Sequence, residues 1–311
     1  MLRAVLYGAG DLRLEESTLD VSALGPREIH VETEVTALST GTDLGNYLGD
    51  SGYVPDAPPY PRWVGYSNCG VVRAVGAEVT SVRPGERVFA PKPHQSAYLA
   101  REDELVVPAP MNVSPEEVSL IYLANLGMAG LQQVNFTPGE DVAVVGMGVI
   151  GLATVALAQT MGARAVIAVA NSPLRQAVAQ RMGATAAEGA ADVVVLTANT
   201  WSGYRSAMEM ARFRGRVSVL GFPGRGQPAP EFNPMRAEWM YLKQLTVTGT
   251  GRALDVRRNL NTLLAWMSQG RLDLKPAISH RFPARRMVEA YDMAKARSKE
   301  LTAAVFDWRG V

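Results

Sequence analysis

The stretch Val144-Val145-Gly146-Met147-Gly148-Val149-Ile150-Gly151 places Gly-x-Gly-x-x-Gly between an apolar run and a helical pattern. Gly146 would form the tight turn, Gly148 would let a pyrophosphate approach the backbone, and Gly151 would let the helix pack against the strand. The phosphates would bind amide donors at the positive end of that helix. A packing turn without a ligand is the alternative. We interpret the motif as a dinucleotide-binding turn. Its predicted cofactor contacts are Gly146, Met147, Gly148, Val149 and Ile150.

Strands and helices alternate around this turn. The strands are continuous apolar runs, which indicates a sheet covered by helices on both faces. The pattern predicts a doubly wound parallel α/β sheet, with helices between its strands. Strands are predicted at 141–145, 165–169, 192–196, 216–220 and 245–248, and helices at 150–161, 174–182 and 256–268.

The first 110 residues have a different texture, with short β-rich runs separated by Gly and Pro, which predicts an irregular, mostly antiparallel β domain. A helix should begin at Ser114, which is followed by Pro115 and two glutamates. The tail alternates again at 278–282, 287–296 and 303–306, and we assign it back to the β domain. The predicted β domain is therefore 1–117 plus 276–311, and the predicted nucleotide domain is 118–275.

Composition restricts the partners. The 311 residues carry 31 Lys+Arg against 30 Asp+Glu, a net charge of +1, without a run of five like charges. Non-specific nucleic-acid binding and polybasic membrane binding are therefore not expected. The single cysteine, Cys69, cannot form an internal disulfide, and the first residues lack a signal-peptide pattern. We expect a cytoplasmic protein without a membrane span.

The choice of dinucleotide depends on the segment after the second predicted strand. NAD sites carry an acidic residue there, whereas this chain has Asn171, Ser172 and Arg175. Small polar residues and an arginine suit a 2′-phosphate, so the sequence favours NADP(H). The alternative is that Asn171 and Ser172 cap the next helix and Arg175 is solvated. Further predicted cofactor contacts, at the carboxyl edge of the sheet, are Thr197, Asn199, Gly221 and Phe222.

Several motifs in order resemble one family along essentially the whole chain. They include Gly41-Thr42-Asp43, Gly65-Tyr66-Ser67 and Pro84-Gly85-Glu86-Arg87-Val88. With the glycine-rich turn, they are similar to the medium-chain dehydrogenase/reductase superfamily, the zinc-type alcohol dehydrogenase-like proteins. The resemblance implies a GroES-like catalytic domain, a Rossmann domain and a homodimer formed through edge strands of the nucleotide domain.

The chain departs from that family at its zinc ligands. Thr40 stands where zinc-dependent members have a cysteine, and Tyr66 and Ser67 stand where they have histidine and glutamate. One cysteine and three histidines do not supply an obvious ligand set, so we predict no zinc. The strings look most like a shorter zinc-less branch that includes bacteriochlorophyllide dehydrogenase-like proteins and reductases of secondary metabolism. That resemblance implies a secondary alcohol or ketone as substrate.

Without a Lewis acid, side chains must donate to the developing alkoxide. The resemblance places Thr40, Asp43, Tyr66, Ser67 and the loop around His94 near the catalytic cleft. Tyr66 is the first choice for proton donor and His94 the second. The alternatives are a packed ring for Tyr66, an exposed side chain for His94 and a turn-holding role for Asp43.

Tyr53 is a further candidate acid, because zinc-less double-bond reductases of the superfamily use a tyrosine from its region. Three functions therefore remain open. The first is a zinc-independent NADP(H)-dependent oxidoreductase of a small ketone or secondary alcohol. The second is an NADPH-dependent reductase of an activated C=C bond in an enone or quinone. The third is a non-catalytic nucleotide-binding scaffold.

Overall fold

The computed structural model describes residues 1–49, 58–185, 189–251 and 255–311. Its strands are β1 (Leu2–Gly8), β2 (Asp11–Glu16), β3 (Glu28–Ala37), β4 (Arg62–Trp63), β5 (Asn68–Val75), β6 (Arg87–Ala90), β7 (Ala97–Arg101), β8 (Val107–Ala109), β9 (Asp141–Val145), β10 (Ala165–Val169), β11 (Ala191–Leu196), β12 (Ala211–Val219), β13 (Thr246–Gly249), β14 (Ile278–Pro283) and β15 (Ala303–Asp307). Its α-helices are α1 (Thr42–Leu48), α2 (Pro115–Gln133), α3 (Val149–Thr160), α4 (Pro173–Arg181), α5 (Trp201–Met210), α6 (Val256–Ser268) and α7 (Met287–Lys295).

The chain forms two compact units. Unit 1 comprises Met1–Tyr122, Leu260–Gln269 and Ile278–Val311, and unit 2 comprises Leu123–Asn259 and Gly270–Ala277. The domain boundaries that the sequence predicts, after residue 117 and before residue 276, remain a prediction.

Unit 2 is built on a five-stranded parallel sheet in the order β10-β9-β11-β12-β13. All five residues of β9 are buried, and α3 follows this inner strand of the sheet. Both the apolar strand runs and the strand–turn–helix order were readable in the sequence, because a sheet covered on both faces needs apolar residues at every strand position. The predicted doubly wound sheet is confirmed.

Unit 1 contains a three-stranded sheet in the order β2-β1-β4 and a larger sheet in the order β14-β15-β3-β5-β6-β8, with β7 paired to β3. β15 runs antiparallel to β3, with Val305 opposite Ala37, so the C-terminal strands belong to the β-rich unit, as the sequence predicted. The larger sheet's Phe306 packs in one core with Tyr47, Met287 and Tyr291. The α/β class with a GroES-like β domain is confirmed.

The connection between β12 and β13 differs from the prediction of helices between all sheet strands. In the described chain it holds one π-helical turn, Glu238–Leu242, and no α-helix. Its sequence contains four prolines and several glycines between residues 221 and 234, which disfavour helix. β12 also begins five residues earlier than the predicted 216, at Ala211.

The start of α2 follows the sequence signal. The Ser114 hydroxyl accepts a hydrogen bond from the Glu117 N–H at 3.3 Å and donates one to the Glu117 carboxylate at 2.7 Å. The first of these bonds satisfies one of the amide donors that a helix start leaves free. Among the helices of the described residues, none is long and apolar enough to cross a membrane.

Candidate active site

Asp43 is the buried anchor of the candidate site in unit 1. It lies in the first turn of α1 and is 2% exposed. Its Oδ2 accepts a hydrogen bond from the Ser39 N–H at 2.8 Å, and its Oδ1 accepts one from the Gly65 N–H at 3.2 Å. One carboxyl group therefore joins the segment that follows β3 to the segment that follows β4.

Burial also changes the acidity of this carboxyl. Desolvation raises the pKa of Asp43 to about 7, although the two backbone hydrogen bonds act in the opposite direction. Asp43 therefore titrates near neutral pH, far above an ordinary aspartate.

Tyr66 follows Gly65 directly, so its position depends on the Asp43 contact. Its hydroxyl donates a hydrogen bond to Ser39 Oγ at 2.7 Å. Its ring meets the ring of Tyr122 edge-on, with centroids 5.6 Å apart. Burial, and next the nearby Asp43 charge, raise the pKa of Tyr66, so the phenol is protonated at neutral pH.

Sequence reasoning missed two hydroxyl groups beside Tyr66. Ser39 supplies the acceptor of the Tyr66 hydroxyl, and the Thr42 side chain forms a further hydrogen bond with Tyr66. Thr42 lies within the Gly-Thr-Asp motif, so the sequence offered a signal that this residue belongs to the site. Ser39 carried no such signal, because only the fold brings residues 39 and 66 together.

His94 is fully buried, contrary to the exposed loop side chain that was one reading of its sequence. Its Nδ1 lies 2.8 Å from Thr36 Oγ1, and its Nε2 lies 3.8 Å from Asp43 Oδ2. Desolvation lowers the pKa of His94 to about 3. The ring is therefore neutral at physiological pH, which leaves it poorly suited to be the proton donor.

The remaining predicted catalytic residues have different placements. Ser67 is 1% exposed, and its hydroxyl donates to the Ser119 carbonyl oxygen at 2.7 Å. Thr40 is half-buried immediately before α1. Tyr53 lies outside the described residues.

The hydroxyl groups of Tyr66 and Ser67, which stand at the family's metal-ligand positions, do not fit a zinc ion. Tyr66 is held protonated, and the Ser67 hydroxyl is engaged with a backbone carbonyl. Zinc prefers thiolate, imidazole and carboxylate ligands. In the described part of the chain, no group of three His, Cys, Asp or Glu side chains could hold a metal ion.

The glycine-rich turn in unit 2 fits a dinucleotide phosphate. Gly146 has φ +104°, and a Cβ on Gly151 would lie 1.8 Å from the Gly146 carbonyl oxygen, so both positions require glycine. Gly148, the N-cap of α3, has no atom within 4 Å of its would-be Cβ and no side chain capping the helix. The turn thus leaves open space beside free amide donors, which suits a phosphate group. The side chains of Met147 and Val149 are buried, and Ile150 is partly buried, so these residues offer their backbone there.

Thr197 and Asn199 support the sheet edge. The Thr197 hydroxyl donates to the Gly146 carbonyl oxygen at 2.7 Å and thereby braces the glycine-rich turn. Asn199 Oδ1 accepts a hydrogen bond from the Phe222 N–H at 2.8 Å. A Cβ on Gly221 would lie 2.4 Å from the Ala198 carbonyl oxygen, so glycine is needed where the two loops meet. The Phe222 ring itself is exposed.

The three predicted phosphate contacts in the segment after β10 have different placements. Ser172 is buried and caps α4, with its hydroxyl accepting from the Arg175 N–H at 3.3 Å. Asn171 is exposed and the Arg175 side chain is partly buried. The capping role that sequence reasoning kept open is therefore real for Ser172, and Asn171 and Arg175 remain the predicted phosphate contacts.

Two family models match consecutive parts of the chain. Residues 25–143 match the family model of the alcohol dehydrogenase GroES-like domain, and residues 149–269 match that of the zinc-binding dehydrogenase. An L-threonine 3-dehydrogenase from Anaeromyxobacter sp. strain Fw109-5 is 27% identical, over 93% of this chain and 94% of that protein.

Solved structures share the fold. A 2R,3R-butanediol dehydrogenase from Bacillus subtilis has a TM-score of 0.82 and 20% identity, covering 98% of this chain and 99% of its own. A dehydrogenase from Sinorhizobium meliloti 1021, solved with NADP bound, has a TM-score of 0.81 and 20% identity, covering 98% of both chains.

Proposed function

Because the chain belongs to the zinc-type alcohol dehydrogenase-like group of the medium-chain dehydrogenase/reductase superfamily, we propose that it is a zinc-independent, NADP(H)-dependent oxidoreductase of small ketones and secondary alcohols. The relatives of the chain support a nicotinamide-dependent dehydrogenase activity on alcohols. One observation supports the more specific proposal, that the reaction does not depend on zinc. A protonated tyrosine, Tyr66, hydrogen-bonded to Ser39 Oγ at 2.7 Å, stands where the family has a metal ligand.

In this proposal Tyr66 supplies the proton of carbonyl reduction. When bound, the reduced nicotinamide supplies the hydride that forms the new C–H bond. The Tyr66 hydroxyl donates its proton to the developing alkoxide oxygen, which becomes the alcohol hydroxyl. Hydrogen bonds from the neighbouring hydroxyls stabilise the phenolate that remains, and its proton is regained from solvent between turnovers. The raised pKa of Tyr66 keeps its hydroxyl protonated and so available as a donor, although it makes the phenol a weaker acid, and alcohol oxidation would require the reverse transfer.

The NADP(H) preference rests on the segment after β10. No acidic residue follows this strand between Ala170 and Arg175, so nothing there repels a 2′-phosphate. Arg175, in the first turn of α4, is the cation that would pair with it. A structural neighbour that binds NADP is consistent with this choice.

The first experiment is a fluorescence titration with NADPH and separately with NADH, in chelator-treated buffer. We expect tighter binding of NADPH, and Arg175→Ala should weaken NADPH much more than NADH. Arg181→Ala, an exposed arginine at the end of the same helix, is the matched control. Equal losses for both cofactors would remove Arg175 from the phosphate site.

The second experiment tests the proton donor with a panel of ketones, secondary alcohols and enones. Tyr66→Phe should lower ketone turnover by about 10². Tyr98→Phe removes a different buried phenol hydroxyl, which has no hydrogen-bond partner, and should leave turnover unchanged. Unchanged turnover in Tyr66→Phe would exclude it as the acid. Consumption of enones with ketones untouched would favour C=C reduction instead, and NADPH binding without any turnover would favour a non-catalytic scaffold.

The assembly in this proposal is a homodimer formed at the edge of the unit 2 sheet. Among the described strands, β13 pairs only with β12, which leaves one row of its backbone groups open. Tyr241 and Leu242, just before β13, are exposed apolar side chains. Tyr241→Arg should shift the sedimentation coefficient to that of a monomer, while Met111→Arg, an exposed apolar residue of unit 1, should not. A wild-type monomer would overturn the proposal.

A further inference from the structure

A chain of buried polar groups leads from the C-terminal strand region to Asp43. The Trp308 indole N–H donates to Thr36 Oγ1 at 2.9 Å, and Thr36 Oγ1 lies 2.8 Å from His94 Nδ1. Thr36 and His94 are fully buried, and Trp308 is 2% exposed. The opposite ring nitrogen, His94 Nε2, has no hydrogen-bond partner and lies 3.8 Å from Asp43 Oδ2.

Proton accounting orients this chain. A threonine hydroxyl has one proton to donate and two lone pairs to accept with. The buried Thr36 hydroxyl accepts the indole proton of Trp308, and among the contacts of the described residues His94 Nδ1 is the one acceptor for the proton of Thr36 itself, so Thr36 donates to Nδ1. A neutral imidazole whose Nδ1 accepts must carry its proton on Nε2. That proton then points toward Asp43.

We infer that Trp308 and Thr36 fix His94 in its Nε2–H tautomer, and that His94 thereby acts as a positioning residue, which directs an N–H dipole at Asp43 and so holds Tyr66 in place. At 3.8 Å the His94–Asp43 contact is longer than a hydrogen bond and acts as a charge–dipole attraction when the Asp43 carboxyl is ionised. In a buried site such an attraction is only weakly screened. The kinetic part of this inference rests on the proposed function, and the tautomer does not.

The His94 ring cannot easily leave this position. A Cβ on Gly65 would lie 2.6 Å from His94 Cγ, so the ring is packed directly against the backbone that precedes Tyr66. On another side the ring meets Phe306 edge-on, with centroids 5.1 Å apart. Glycine at position 65 is thus required by His94 as well as by its own φ of +91°.

Asp43 connects His94 to Tyr66, the proposed proton donor. Its two oxygens hold the N–H groups of Ser39 and Gly65, the two segments whose side chains meet in the Tyr66–Ser39 hydrogen bond. Among the described residues, the titratable groups other than His94 that interact with Asp43 are Tyr66 and Tyr291, whose pKa values are raised by burial. Neither phenol hydroxyl is hydrogen-bonded to Asp43, because Tyr66 donates to Ser39 Oγ and the Tyr291 hydroxyl has no hydrogen-bond partner.

The test is a nitrogen-15 NMR measurement on histidine-labelled protein. The chain has three histidines, so the variant His30→Gln/His280→Gln leaves His94 as the one labelled ring. We expect a neutral ring near pH 7 with the proton on Nε2. A proton on Nδ1, or a protonated ring, would overturn the inference.

A matched pair of variants tests the role of Thr36. Thr36→Val keeps the shape and removes the hydroxyl, so the Nδ1 resonance should move to the position of a nitrogen that accepts no hydrogen bond. Thr36→Ser retains the hydroxyl and should keep the wild-type resonance. An Nδ1 resonance that is the same in Thr36→Val would overturn the inference. Should Thr36→Val fail to fold, the wild-type tautomer still decides.

The kinetic readout separates positioning from general damage. Thr36→Val should lower kcat for ketone reduction by about 10- to 100-fold with KM nearly unchanged, and Thr36→Ser should restore most of it. Unchanged kcat alongside the altered Nδ1 resonance would overturn the positioning role. A wild-type protein that reduces no ketone would instead contradict the proposed function, while leaving the tautomer measurable.

Discussion

Asp43 and His94 should give the protein opposite and separable dependences of stability on pH. Burial raises the pKa of Asp43 from 3.8 to about 7 and lowers the pKa of His94 from 6.5 to about 3. Between pH 3.8 and about 7 the folded state binds a proton at Asp43 that the unfolded chain has lost, so the free energy of unfolding falls as pH rises. Between pH 3 and 6.5 the unfolded chain binds a proton at His94 that the folded state lacks, so the free energy of unfolding rises with pH.

The magnitudes follow from the same shifts. Each unit of pKa shift corresponds to about 1.4 kcal/mol, so Asp43 contributes a loss of about 4 kcal/mol as pH rises, and His94 a gain of about 5 kcal/mol. In the wild type these two slopes nearly cancel between about pH 4 and 6.5. In Asp43→Asn the contribution of His94 is no longer cancelled. The free energy of unfolding should therefore fall by about 3 kcal/mol when the pH is lowered from 6.5 to about 4.

His94→Gln should show the reverse, with stability falling by about 4 kcal/mol as pH rises from about 4 to 7. The measurement is urea denaturation of the three proteins at intervals of about half a pH unit, and the differences between each variant and the wild type remove the contribution of all other groups. Parallel pH profiles for the three proteins would refute the reasoning, because neither group would then be buried in its stated protonation state.

Three further predictions concern unit 2. Gly151→Ala should abolish NADPH binding, because its Cβ would overlap the Gly146 carbonyl oxygen at 1.8 Å; binding retained in a titration would contradict the turn geometry. Asn199→Ala should weaken NADPH binding by about 10-fold, the effect of one lost hydrogen bond to the Phe222 N–H, while circular dichroism stays unchanged. Lys243→Met should lower the free energy of unfolding by about 1 kcal/mol in urea titrations, because the Lys243 ammonium donates to three carbonyl oxygens at the end of α5; an equal stability would show that solvent replaces those bonds.

Much of unit 2 was predictable because its signals are local. The strand Asp141–Val145 and the helix Val256–Ser268 have the predicted bounds, since apolar runs and helical periodicity report directly on local structure. The helix predicted before β13 was wrong, although the prolines and glycines of that segment disfavour a helix. The roles of Ser172 and Thr197 were also partly hidden, because a polar side chain near a ligand serves equally as a cap or a brace.

The sequence by itself determined the α/β class and the glycine-rich turn, and it predicted the loss of the family's zinc ligands, because each depends on residue types a few positions apart. Only the tertiary structure decided what His94 and Asp43 do. His94 meets Thr36 across 58 residues, Thr36 meets Trp308 across 272, and Asp43 meets Gly65 across 22. Burial and protonation state arise from such distant contacts, because the solvent exposure of a side chain is set by whatever the fold packs around it and not by its neighbours in the chain.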